Sequence, residues 1–200
     1  MSRSNYDMSI KQKKYSRLRK ELQFVQSELE YVQEVLKEWH LIFERYHRDY
    51  CEKNNIDLQI LNKKHSERVS EIIPTPLTKE NGLVVFNRKK DKGVFNKIYK
   101  QIAKKLHPDV GGDEEEFKKA TTAMQQKNFE KLLDICDNHV ILINVDEELI
   151  ELLKQQILET KEKIKQEKST YSWCLYSCVD DKCKDNVIKN FLKHLFNYEE

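Results

Sequence analysis

An all-α fold is predicted from three features of the sequence: scarce turn formers, one long heptad seam, and charge of both signs spread along the chain. Only four Gly and three Pro occur in 200 residues, and Lys, Glu, Leu, Ile and Gln dominate, so long helices with few tight turns are expected. Charged residues make up 35% against 38% hydrophobic, which suits thin-cored helices better than one large globule. The expected architecture is a long N-terminal coiled-coil-like helix or hairpin, a central helical hairpin, a further long helix and a small C-terminal helical segment. Its division is 1–73 coiled-coil region, 74–93 linker, 94–144 hairpin region and 145–200 C-terminal helical region.

The first element rests on apolar residues that alternate at steps of three and four: Tyr15, Leu18, Leu22, Val25, Leu29, Val32, Leu36, Trp39, Phe43, Tyr46 and Tyr50. A seam kept over about five heptads must be buried against another helix. Three partners are open: a second copy in a homo-oligomer, the segment Ile56 to Ile73, or the later helix with Ile150, Leu153, Ile157 and Ile164. The bulky aromatic end favours a contact among several helices, with core packing as its role.

Pro74, Pro76 and Asn81-Gly82 then break the pattern, since proline ends helices and Asn-Gly favours turns. Leu83 to Phe86 is a short apolar run, a strand or a docked extended segment, followed by the basic Arg88, Lys89, Lys90 and Lys92.

From Val94 a new helical stripe runs through Phe95, Tyr99, Ile102 and Leu106, with Lys97, Lys100, Lys104 and Lys105 mostly off that face. This is an apolar stripe with a basic flank. Pro108 stops the helix. Gly111 and Gly112 permit a left-handed or otherwise tight turn, and Asp113 with Glu116 has capping-box spacing. The next helix repeats Phe117, Ala120 and Met124 at matching steps, so an antiparallel pair joined by 106–112 is expected.

Tyr-Lys-x-Ile-Ala-x-Lys-Leu, then His107-Pro108-Asp109, then a loop and Phe117-Lys118 resembles helices II and III of the DnaJ-family J-domain. Tyr99, Ala103 and Phe117 sit at family-like offsets, and Gly111-Gly112-Asp113-Glu114-Glu115 is similar to the J-domains of polyomavirus T antigens and to shortened J modules of large DNA viruses. The resemblance implies a co-chaperone that stimulates ATP hydrolysis by a DnaK-type (heat shock protein 70) chaperone. Lys97, Lys100, Lys104 and Lys105 would be steered onto an acidic chaperone surface. His107, Pro108 and Asp109 would engage near its interdomain linker, with Asp109 pairing to an arginine. The chain departs from the family in lacking a recognisable helix I before Phe95 and the usual helix IV. Another amphipathic helix at Asn128 to Cys136 stands in the place of helix IV, and Phe129, Leu132, Leu133 and Ile135 or the long helices are expected to supply the apolar surface of the missing helix I.

A third long helix is expected from Glu147 to Lys168, then a terminal cluster of Trp173, Leu175, Val179, Ile188, Phe191, Leu192, Leu195 and Phe196. Cys174, Cys178, Cys183 and His194 lack the paired Cys-x-x-Cys spacing of zinc sites, so free cysteines and no metal are expected. Five scattered cysteines are an odd number, which points to reduced thiols in a cytosol-like compartment. His40, His47, His65 and His139 read as surface or seam residues. No apolar stretch approaches the roughly 18 residues of a membrane span, and Met1 to Lys20 has no apolar core of a signal peptide. A soluble, cytoplasmic protein is expected, or one of a virion if viral.

No glycine-rich phosphate loop, paired catalytic carboxylates or nucleophile arrangement is present, so neither enzyme activity nor a cofactor is expected. The alternative to a co-chaperone is a structural or assembly coiled-coil protein, such as a viral one, whose J-like hairpin is vestigial; His107 would then be a polar cap and Asp109 a turn residue. Nucleic-acid binding through Lys11, Lys13, Lys14, Arg17, Arg19 and Lys20 is not expected, because such charge runs are ordinarily solvated faces and the net charge is only +2. The client is not legible.

Overall fold

The computed structural model describes residues 3–71, 88–126 and 128–198, with side chains within 10–68, 93–126 and 128–198. These residues form α-helices and one short 3-10 turn, with no strand among them: α1 (Arg3–Lys53), α2 (Leu58–Glu71), α3 (Arg88–Leu106), α4 (Glu114–Gln125), α5 (Phe129–Asn138), α6 (Glu147–Lys168), α7 (Tyr171–Tyr176) and α8 (Asp181–Phe196). The all-α fold with its long N-terminal helix is as expected. Among the described residues no helix is long and apolar enough to cross a membrane. Pro74, Pro76 and the run Leu83 to Phe86 lie outside the described residues. Residues 88–93, expected in the linker, are instead the first turns of α3.

The chain groups into two compact units, 1–26 with 84–160 and 27–83 with 161–200. This grouping differs from the consecutive division read from the sequence, because α1 and α6 each contribute residues to both units.

In the first unit Leu18, Leu22 and Val25 of α1 are buried, as are Ile98, Ile102 and Leu106 of α3. Phe129, Leu132, Leu133 and Ile135 of α5 and Leu149, Ile150 and Leu153 of α6 are buried too. The Phe95 and Phe129 rings lie 5.2 Å apart, so α5 covers the hairpin where a helix I was missed. Lys11 pairs with Glu147 at 3.6 Å, which places the start of α1 beside the start of α6. Leu18, Leu22 and Val25, in the first half of the seam, are thus buried within this chain.

Arg19 leaves the basic run on which nucleic-acid binding would rest. Its side chain is only 6% exposed; Nε donates to Asp137 at 3.2 Å and the guanidinium also bonds Asp134. Nη1 has no partner, and nor does the neighbouring Tyr15 hydroxyl, whose pKa burial pushes up to about 12. Such a pair anchors α1 to α5 but gains little net stability against an apolar side chain of like size. Arg19→Met is therefore expected to unfold in denaturant within about 1 kcal/mol of the wild type. The Asp134→Ala, Asp137→Ala double variant strands a buried cation, and it is expected to lose about 3 kcal/mol.

In the second unit α1 ends in a Schellman motif: Ile56 N–H donates to Cys51 O (2.8 Å) and Asn55 N–H to Glu52 O (3.2 Å), with Asn55 at φ 55°. Phe43, Tyr50, Cys51 and Ile56 share a core with Leu175, Ile188, Leu192 and Phe196, so the aromatic end of the seam meets several helices. Two members of the expected terminal cluster are corrected. Val179 is exposed in the turn before α8, and Leu195 points off the 188–192–196 face to solvent. The expectation of five reduced thiols is also corrected: Cys178 and Cys183 are disulfide-bonded across that turn, their Cα atoms 5.5 Å apart. Cys51 and Cys136 are buried free thiols and Cys174 an exposed one, and burial pushes the Cys136 thiol up to about 12.

Candidate functional site

The end of α3 carries the motif. Leu106 and Ile102 are buried in the first unit, so the last turn of α3 is fixed and residue 107 must leave the core. His107 is extended (φ −63°, ψ 134°) and caps a 3-10 turn, Pro108–Val110, with Pro108 at its first position. Val110 N–H and Gly112 N–H both donate to His107 O, at 3.0 and 3.1 Å, and Gly111 N–H donates to Pro108 O at 2.9 Å. His107 Nδ1 accepts from Asp109 N–H at 3.2 Å, and its ring lies 4.8 Å from that of Phe117. Phe117 in turn lies 6.2 Å from Tyr99, whose hydroxyl shares a 3.1 Å hydrogen bond with Thr121. The motif is therefore braced from both helices of the hairpin. Asp109 is left with an 85% exposed side chain, whose carboxylate lies 3.4 Å from His107 Nδ1.

The two glycines serve different ends. Gly111 has φ 77°, the left-handed region that favours glycine. Gly112 is outside the left-handed region, but a Cβ there would lie 2.5 Å from Leu106 Cα, so the chain can fold back on α3 only without a side chain. Asp113 then caps α4 by accepting from Glu115 N–H (2.9 Å) and Glu116 N–H (3.1 Å). The capping box is only half made, because Glu116 turns away to Lys119 (2.8 Å) and His139 (3.3 Å). The Lys119 bond is the main reason its carboxyl is held below the usual range.

The basic face is divided. Lys97 is tied to Glu148 at 2.8 Å and Asp146 at 3.3 Å, bonds that raise its pKa. Lys105 Nζ donates to His139 O at 2.5 Å. Lys100 and Lys104 are exposed and make no ion pair or hydrogen bond with a described residue. The partners of Lys97 and Lys105 lie at the two ends of 139–148, whose non-helical part, 139–146, is a strap beside α3. Between strap and helix is an open cleft of about 180 Å³ lined by Val94, Ile98, Gln101, Ile143 and Asn144. The sequence reading missed the strap; its signal was the run Val140-Ile141-Leu142-Ile143 between two helices. The zinc candidates do not come together: among the described residues no three His, Cys, Asp or Glu side chains form a group suited to a metal, and His194 hydrogen-bonds Tyr171 at 2.6 Å.

No family model, no curated protein and no solved structure matches this chain.

Proposed function

We propose that the chain is a J-domain co-chaperone, which binds a DnaK-type (heat shock protein 70) chaperone through the His107-Pro108-Asp109 turn and stimulates its ATP hydrolysis. One observation carries the reading: a freely exposed Asp109 carboxylate on a turn fixed by His107, Pro108 and the two glycines, at the end of a basic helix. A preorganised turn loses little freedom on docking, and the act required of it is binding one chaperone conformation better than another. No bond is made or broken by this chain. Lys100 and Lys104 are the cations at hand to meet an acidic partner surface, while Lys97 and Lys105 would first have to leave their intramolecular partners.

The test is single-turnover ATP hydrolysis by a DnaK-type chaperone with and without the protein. Stimulation is expected, weakening as salt rises. The Lys100→Ala, Lys104→Ala double variant is expected to need about tenfold more protein for half-maximal effect, and Lys97→Ala to change it far less. No stimulation by a folded chain would remove this reading. The second reading, an assembly protein with a vestigial hairpin, draws on the internal ties of Lys97 and Lys105 and would then stand.

A further inference from the structure

Among the described residues three α-helices end on a non-glycine residue with positive φ: α1 at Asn55 (55°), α8 at Asn197 (52°) and α5 at Val140 (51°). After α5 the Schellman bonds are complete, Ile141 N–H to Cys136 O at 2.8 Å and Val140 N–H to Asp137 O at 3.2 Å. Asparagine tolerates this conformation, whereas a β-branched side chain is an outlier there, at a cost of about 1–2 kcal/mol. Valine is not compensated by burial, since Val140 is 76% exposed. The fold would be served better by the residue it uses at its other two such ends, and strain kept at an exposed position points to a function.

The segment that begins at Val140 has the composition of a strand. Val140-Ile141-Leu142-Ile143-Asn144-Val145 is rich in β-formers and takes neither helix nor turn from Ile141 to Asn144, before a tight bend in which Asp146 N–H donates to Asn144 O at 3.2 Å, yet no strand exists among the described residues. Side chains alternate: Ile141 and Ile143 are half-buried, while Leu142 is 86% exposed. The N–H groups of Leu142 to Val145 make no hydrogen bond with a described residue. Lys105 clamps one end through His139 O, and Lys97 clamps the other through Asp146. A non-helical backbone with alternating side chains and unused donors is a template for another strand. One residue before the clamping Lys105 and the cleft-lining Gln101 come the free Lys104 and Lys100.

We propose that Val140–Val145 is a strand-addition surface that takes an extended segment of a partner protein, apolar at alternate positions and acidic between them. Backbone pairing supplies the hydrogen bonds, Val140 and Leu142 supply apolar contact, and Lys100 and Lys104 select the acidic residues. The proposal does not depend on chaperone stimulation.

The experiment uses the full chain and a synthetic heptapeptide alternating glutamate and valine, read by amide hydrogen exchange and titration calorimetry. Slowed exchange confined to Leu142–Val145 is expected, with about tenfold weaker binding of the lysine–valine counterpart. Val140→Asn is expected to unfold no more easily than the wild type while binding the peptide about tenfold more weakly. Leu142→Pro, which removes an unused N–H, should abolish binding in a protein of unchanged helix content. Unchanged exchange at millimolar peptide would overturn the proposal. So would self-association of the wild type that Val140→Asn abolishes, because the occupant would then be a second copy.

Discussion

Replacing Asp109 with Asn is expected to abolish chaperone stimulation while leaving the fold intact. The side chain is 85% exposed, and its carboxylate only approaches His107 Nδ1 at 3.4 Å, so the stability change should stay within about 0.5 kcal/mol. Asparagine has the same shape, and the backbone N–H that His107 accepts from is unaltered. What is lost is a charge aimed outward, which is worth about 2–5 kcal/mol when it pairs with a cation in an interface. The stimulated rate at fixed protein should therefore fall by at least about thirtyfold. Matching melting curves with a lost rate would locate the function in the carboxylate. A variant as active as the wild type would remove Asp109, and with it the co-chaperone reading.

Gly112→Ala is the second large effect, and it acts through the backbone. The added methyl would lie 2.5 Å from Leu106 Cα and from Leu106 O, and neither atom can move without shifting α3, whose Leu106 side chain is buried. Overpacking against backbone is expected to cost about 3 kcal/mol. Gly111→Ala meets no atom within 4 Å and should lose only about 1 kcal/mol, from its positive φ. Equilibrium unfolding separates the two, and equal losses would show that the turn, rather than the close approach, sets the need for glycine. Because His107 O accepts from Gly112 N–H, Gly112→Ala should also impair stimulation even where the protein remains folded.

The helices were legible where their signals are local. α6 begins and ends where the sequence put it, at Glu147 and Lys168, because Asp146 caps it, accepting from Leu149 N–H at 2.9 Å, and its apolar residues keep one period. The start of α3 was not legible, since Arg88 to Lys92 carry no apolar periodicity. The motif's placement on a turn was readable from Pro108 and the glycines. Two features of the site depend on partners distant in sequence and could not be read: Glu148 and Asp146, which hold Lys97, and His139, which occupies Lys105. The Cys178–Cys183 bond escaped because an odd, scattered set argues against a framework of bridges and says nothing of one bridge across a turn. Val179 and Leu195 were placed in the core on composition; Val179 falls in the turn between two helices, and the phase of α8 puts Leu195 outside the core.

The discontinuous make-up of the first unit has a consequence for the order in which the chain is made. Its amino-terminal portion, 1–26, belongs with 84–160, and Arg19 finds its carboxylates only at Asp134 and Asp137. At about 5–20 residues per second, roughly ten seconds separate synthesis of Leu22 from that of Ile150. Until that interval ends the native cover of the first half of the seam is incomplete. A protein proposed to summon a chaperone for others would thus leave the ribosome as a substrate for one, and its yield should depend on the chaperone supply of the cell that makes it.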